Sequence, residues 1–90
     1  MAKIADMNLI APGDTGHIDG TTLNIPKCKD INGNDVPAVG YGAVSCLGTT
    51  GSISVQQIIG YEQKENSAPS TYQRIDIGDG NGFGAWLKIG

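Results

Sequence analysis

The sequence predicts an all-β domain: a small antiparallel meander closing into a compact sandwich or barrel-like module, with little or no helix. Three observations predict it. The large apolar residues are mostly isoleucine, eleven Ile against four Leu, and with Val and Thr this is a strand-forming composition. Turn-forming residues recur along the chain, with 14 Gly and 4 Pro among many Asn, Asp and Ser. No window shows sustained helical periodicity, whereas several segments alternate with period two.

Taken in order, residues 1–20 read as an irregular lead-in with one or two short strands, broken by Pro12-Gly13 and Asp19-Gly20. The first strands follow over 21–61. "TTLNI" (21–25) is strand-like and stops at Pro26; Asn32-Gly33 is a favoured type I′ hairpin pair. "VGYGAVSCL" (39–47) is a better strand, whose Gly40 and Gly42 suggest a bulge or close backbone packing. "TTGS" (49–52) is a turn. "SISVQQIIGY" (52–61) then alternates, with Ile53, Val55, Gln57, Ile59 and Tyr61 on one side and Ser52, Ser54, Gln56 and Ile58 on the other. A polar loop spans 62–70. The closing hairpin occupies 70–90, where Thr71, Gln73, Ile75 and Ile77 oppose Tyr72, Arg74 and Asp76 before a glycine tract and a last strand at 85–89. All of this fits one domain, 1–90. A small sheet has exposed edges, which closure or pairing between subunits removes.

Charge narrows the function classes. Net charge is −3, and the six cations are scattered with no basic stripe for nucleic acid. No run of about 18 apolar residues marks a membrane span, and Asp6 and Asn8 interrupt any signal-peptide core at the N-terminus. The expected site of synthesis and folding is a cytosol. There Cys28 and Cys46 are expected as free or buried thiols before a disulfide.

Motifs for chemistry are sparse. "GDGNGFG" (78–84) has the wrong spacing for a phosphate loop, and a strand follows it where a helix would be needed. "DINGND" begins like a calcium loop, but Asp35 and Tyr41 stand where Gly and Glu belong. His17, the only histidine, lies between Asp14 and Asp19 in what reads as an exposed, turn-rich loop with no nucleophile assigned to it. Two Cys with one His do not close a zinc site. Glu62 and Glu65 sit in a polar loop and read as solvated. The expectation is no enzyme, no metal and no cofactor.

The pattern "TYQRIDIGDGNGFGAWLKIG" resembles the closing hairpin of the pyocin-knob family, small β modules in the tail fibres of bacteriophages and R-type pyocins. Tyr72 and Arg74 stand for its aromatic-bearing strand with a central Arg. Asn81 and Gly82 stand for its turn, and Phe83, Trp86, Lys88 and Ile89 for its aromatic closing strand. "ADMNLIAPG" is similar to the family's opening segment through Asp6, Asn8, Pro12 and Gly13. "SISVQQIIGY" is similar to its central strand through Gln57, Ile58, Ile59 and Tyr61. Phe83 departs from the family, which usually has a second tryptophan there.

The resemblance implies a non-enzymatic virion-surface module of a tail fibre or receptor-binding appendage. It also implies a homotrimer that contacts other virion structural proteins. A second reading is a capsid-decorating or head-fibre protein. A third is a carbohydrate-binding module meeting a host-surface glycan through Trp86, Tyr72 and Tyr61, with Asp79 and Asn81 as polar partners. The residues themselves predict a turn at Asp79, Gly80, Asn81 and Gly82 that joins two strands tightly. That turn folds Phe83 and Trp86 back toward Tyr72 or Arg74. Burying the tryptophan would contribute about 2–3 kcal/mol, and an Arg over its ring about 0.5–1 kcal/mol.

Overall fold

A computed structural model describes residues 3–61 and 69–89. The predicted loop carrying Glu62 and Glu65 therefore lies largely outside the described residues. The strands are β1 (Thr15–Asp19), β2 (Lys27–Lys29), β3 (Asp35–Pro37), β4 (Tyr41–Gly48), β5 (Ser54–Tyr61), β6 (Ser70–Asp76) and β7 (Leu87–Lys88). Among the described residues one 3-10 turn, Met7–Leu9, accompanies them. The domain is all-β and antiparallel, as its composition predicts. A five-stranded sheet runs in the order β1-β4-β5-β6-β7, and β2 and β3 form a separate hairpin.

Strands β4 to β7 form the expected meander, and β1 joins its far edge against β4. The core lies on one face of the large sheet. Ile18, Val44, Ile58 and Tyr72 project from the strands, and Ile4, Met7, Ile25 and Val39 cover them from the segments before β4. The N-terminal third is thus the lid of the core. Two paired glycines let that lid approach. Gly42 lies opposite Gly60, and a Cβ on Gly60 would stand 2.4 Å from the Tyr41 carbonyl oxygen and 2.9 Å from Val39 Cγ1. Close packing, one of the two expectations for this stretch, is the role of Gly42; the ladder runs through it in unbroken register.

Local differences from the sequence reading have physical causes. "TTLNI" is no strand. Thr22 is buried and its hydroxyl donates to the Ile4 carbonyl at 2.8 Å, while Leu23 makes a bridge with Asp6. Asn24 then turns the chain at φ 61°. "TGHID" is a strand and not a turn-rich loop, because β4 supplies a full ladder for it. The Asn32-Gly33 turn is not type I′, which needs positive φ at both residues. Only Gly33 has it, at 81°. The carboxylate of Asp30 organises that loop, accepting from the Asn32 and Asn34 amides at 2.8 and 2.9 Å.

The glycine tract also differs. Residues 77–86 form a wide excursion between β6 and β7 in place of a tight turn. Gly78, Gly80 and Gly82 have φ of 79°, 88° and 77°, a region that costs other residues about 1–2 kcal/mol. Gly84 brings the chain back, its amide donating to the Ile75 carbonyl at 3.0 Å.

Candidate functional site

Two of the predicted site residues, Phe83 and Trp86, converge on a third, Arg74. Strand alternation turns this side chain to the inner face, where it is 9% exposed. Its Nε donates to Gln56 Oε1 and its Nη2 to Asn8 Oδ1, both at 2.8 Å. Gln56, opposite Arg74 on β5, is fully buried and donates its Nε2 to the Met7 carbonyl at 2.7 Å. Both glutamine termini are therefore used, Nε2 holding the N-terminal segment to the sheet and Oε1 linking β5 to β6 through Arg74.

The wide glycine excursion supplies the rest. It lays Phe83 and Trp86 on the guanidinium, with Arg74 Cζ 4.4 Å from the Phe83 centroid and 4.7 Å from the Trp86 ring. The indole Nε1 donates to the Asn24 carbonyl at 3.1 Å. Asn24 Nδ2 in turn donates to Asp6 Oδ1 at 2.8 Å, and the same oxygen takes the Asn8 amide at 2.8 Å. Those two donors hold the Asp6 carboxyl below the usual carboxylate range, with a smaller contribution from the Arg74 charge. Burial lowers the Arg74 pKa, and Asp6 opposes that shift. The guanidinium starts so far above neutrality that it stays charged.

This arrangement clamps five chain segments, and among the described residues no buried side-chain nitrogen or oxygen lacks a hydrogen-bond partner. It holds no nucleophile beside a base. His17 lies on the opposite face of the sheet in β1, half-buried, with its ring 5.5 Å from that of Tyr41. Its neighbour Asp19 is held by Thr21 and Lys3, and Asp14 accepts from the Ala11 amide. Among the described residues no three His, Cys, Asp or Glu side chains group as metal ligands. Both cysteines are free, Cys28 exposed and Cys46 buried.

The residues considered for glycan contact are dispersed. Tyr72 is buried in the core, and Tyr61 is on the outward face of the sheet. Trp86 spends one ring face on Arg74 and lines a groove with Leu23, Asn24, Ile25 and Lys27. Asn81 lines a separate cleft with Asn8, Asp76, Gly82 and Phe83. Asp79 is spent on Asn81, accepting from its amide at 3.0 Å. Gly80 lies between them in the excursion.

Sequence reading passed over Gln56 and Asn24. In the pair Gln56-Gln57 only strand parity separates the two roles, and Gln57 faces outward. Asn24 carries no motif; its signal is positive φ, which appears only with the backbone. The chain was compared with protein-family models, curated proteins and solved structures, and none of them matches it.

Proposed function

We propose that this chain is a structural module of a bacteriophage virion surface, part of a tail fibre or receptor-binding appendage, without catalytic activity. The observation that supports this reading is the Arg74 cluster. Asp6, Asn8, Arg74, Phe83 and Trp86, which carry the resemblance to pyocin knobs, lie far apart in sequence and meet in one contact network. The network cross-links the N-terminal segment, Asn24, β5, β6 and the glycine excursion. A satisfied, charged and aromatic clamp suits a module whose task is to hold shape.

The test is location. Phage particles carrying this chain with an epitope tag are imaged by electron microscopy with a gold-labelled antibody. Label at the tail tip or fibres is expected. Label spread over the capsid lattice would move the assignment to a decoration protein, and unlabelled particles would remove the virion reading.

A further inference from the structure

The five-stranded sheet also carries large apolar residues on the face opposite its core. An antiparallel sheet with one covered face is expected to turn its polar residues to water. Here β5 turns Ser54, Gln56 and Ile58 inward and leaves Val55, Ile59 and Tyr61 outside. On β6 the polar Arg74 is buried while Ile75 is 44% exposed. β4 adds Tyr41 and Leu47 to the outward face, at 50% and 57% exposure. Exposed apolar residues clustered on one face mark interaction surfaces when the patch is large.

The outward face also has a pattern. Cross-strand register aligns Thr15, Ser45, Gln57, Gln73 and Leu87 in one row. The middle of that row is a stripe of hydroxyl and amide groups. On one side of it lie Ile59, Tyr41 and Tyr61; on the other lie Leu47, Val55 and Ile75. The outward positions of β4, β5 and β6 hold no charged side chain among the described residues. Among the described residues Asp19, on the outward side of β1, is paired with Lys3 at 3.4 Å.

We propose that this face is a homotypic interface, covered by the same face of a second copy of this chain. Three features select that occupant. A chain of net charge −3 repels its own copies, yet the outward positions of β4, β5 and β6 present no like charges to one another among the described residues. An amide is both donor and acceptor, so the Gln57 and Gln73 stripe satisfies itself against an identical stripe. Strand spacing and rise give the face about 500–600 Å² of projected area per copy. Two copies then bury about 1,000 Å² or slightly more, the lower threshold for a biological interface and the size of a weak, reversible one. The inference is independent of the virion reading and stands or falls apart from it.

The full chain is tested by sedimentation velocity and light scattering over a concentration series. The wild type is expected to have a mass above one copy. Ile59→Lys and Ile75→Lys each bury an unpaired charge in the interface. They are expected to raise the dissociation constant by about a hundredfold or more, leaving single copies. Ile31→Lys, in the loop between β2 and β3 and 99% exposed, is expected to leave the mass unchanged. Circular dichroism and Trp86 fluorescence report folding of each variant. If the lysine variants do not fold, the milder Ile59→Ser serves, with an expected weakening of about tenfold. A wild type that is monomeric throughout overturns the proposal. So does an assembly whose mass the face variants leave unchanged, or one that Ile31→Lys disrupts equally.

Discussion

The guanidinium of Arg74 lies 4.7 Å from the Trp86 ring, and Phe83 packs on the same cation at 4.4 Å. The same side chain donates to Gln56 and Asn8. Arg74→Ala is expected to lower stability by about 2–4 kcal/mol, because it leaves a buried Gln56 oxygen unsatisfied and removes two charged hydrogen bonds. Arg74→Lys is expected to lose most of the same amount, since an ammonium has neither the fork nor the stacking plane. Trp86→Leu is expected to cost about 1–2 kcal/mol for the stack and the bond to Asn24. Urea denaturation of the single and double variants measures the coupling between Arg74 and Trp86. A sum of single effects equal to the double effect would remove the contact from the account.

The glycines separate by what surrounds them. A Cβ on Gly60 meets backbone atoms of Tyr41 and Gly42 at 2.4 and 2.7 Å, so Gly60→Ala is expected to cost about 3 kcal/mol or more. At Gly42 the nearest atom is Ile58 Cγ2 at 3.0 Å, a side chain able to yield, and the cost is expected to be about half as large. Gly80 has open space around it but φ of 88°, so Gly80→Ala is expected to cost about 1–2 kcal/mol from the backbone alone. Thermal melting of the three variants checks the order Gly60, then Gly42 and Gly80.

Acid is expected to weaken the fold. Asp6 is held below its ordinary pKa by the Asn24 amide, Asp19 by the Thr21 hydroxyl, Asp35 by Lys29 and Asp79 by the Asn81 backbone. A carboxyl whose folded pKa is lowered contributes stability above its unfolded value, about 3.9, and loses it as pH falls through the folded value. Urea midpoints are therefore expected to be level near neutrality and to drop below about pH 4. Asp6→Asn is expected to lower the neutral midpoint and flatten the acid drop. An unchanged drop in that variant would take Asp6 out of the linkage.

The two thiols are expected to react at different rates. Cys46 is on the inner face of β4, where burial raises its pKa and the Asp14 charge raises it further. Cys28 is exposed on β2. The thiolate is the reactive form, so alkylation followed by mass spectrometry is expected to find native label at Cys28 first. Cys46 is expected to follow only as the chain opens. Equal native rates at both would contradict the burial of Cys46.

Several features were legible along the chain. Period-two alternation located β5 and β6, the strand-like run "VGYGAVSCL" located β4, and turn residues placed their boundaries. The approach of Phe83 and Trp86 to Arg74 could be anticipated, because the aromatic segment follows the Arg-bearing strand after a glycine tract. The type I′ turn and the strand at "TTLNI" were misread because both were judged by local propensity. The Asp30 carboxylate organises the first backbone, and the backbone of residues 4–7 pairs with the second instead.

By itself the amino-acid order determined the class of fold, the existence of the meander and the two faces of each strand. Alternation and turn chemistry are local and need no knowledge of distant residues. Only the tertiary structure decided which face is inside. Parity groups Val55, Ile59 and Tyr61 against Gln56 and Ile58 but assigns neither group to the core. That choice is made by Met7 and Asn8, which reach Gln56 and Arg74 across 49 and 66 residues of sequence and satisfy their polar ends. A buried amide and a buried guanidinium are costly alone and stable once paired. The Ile-rich side is therefore left outward.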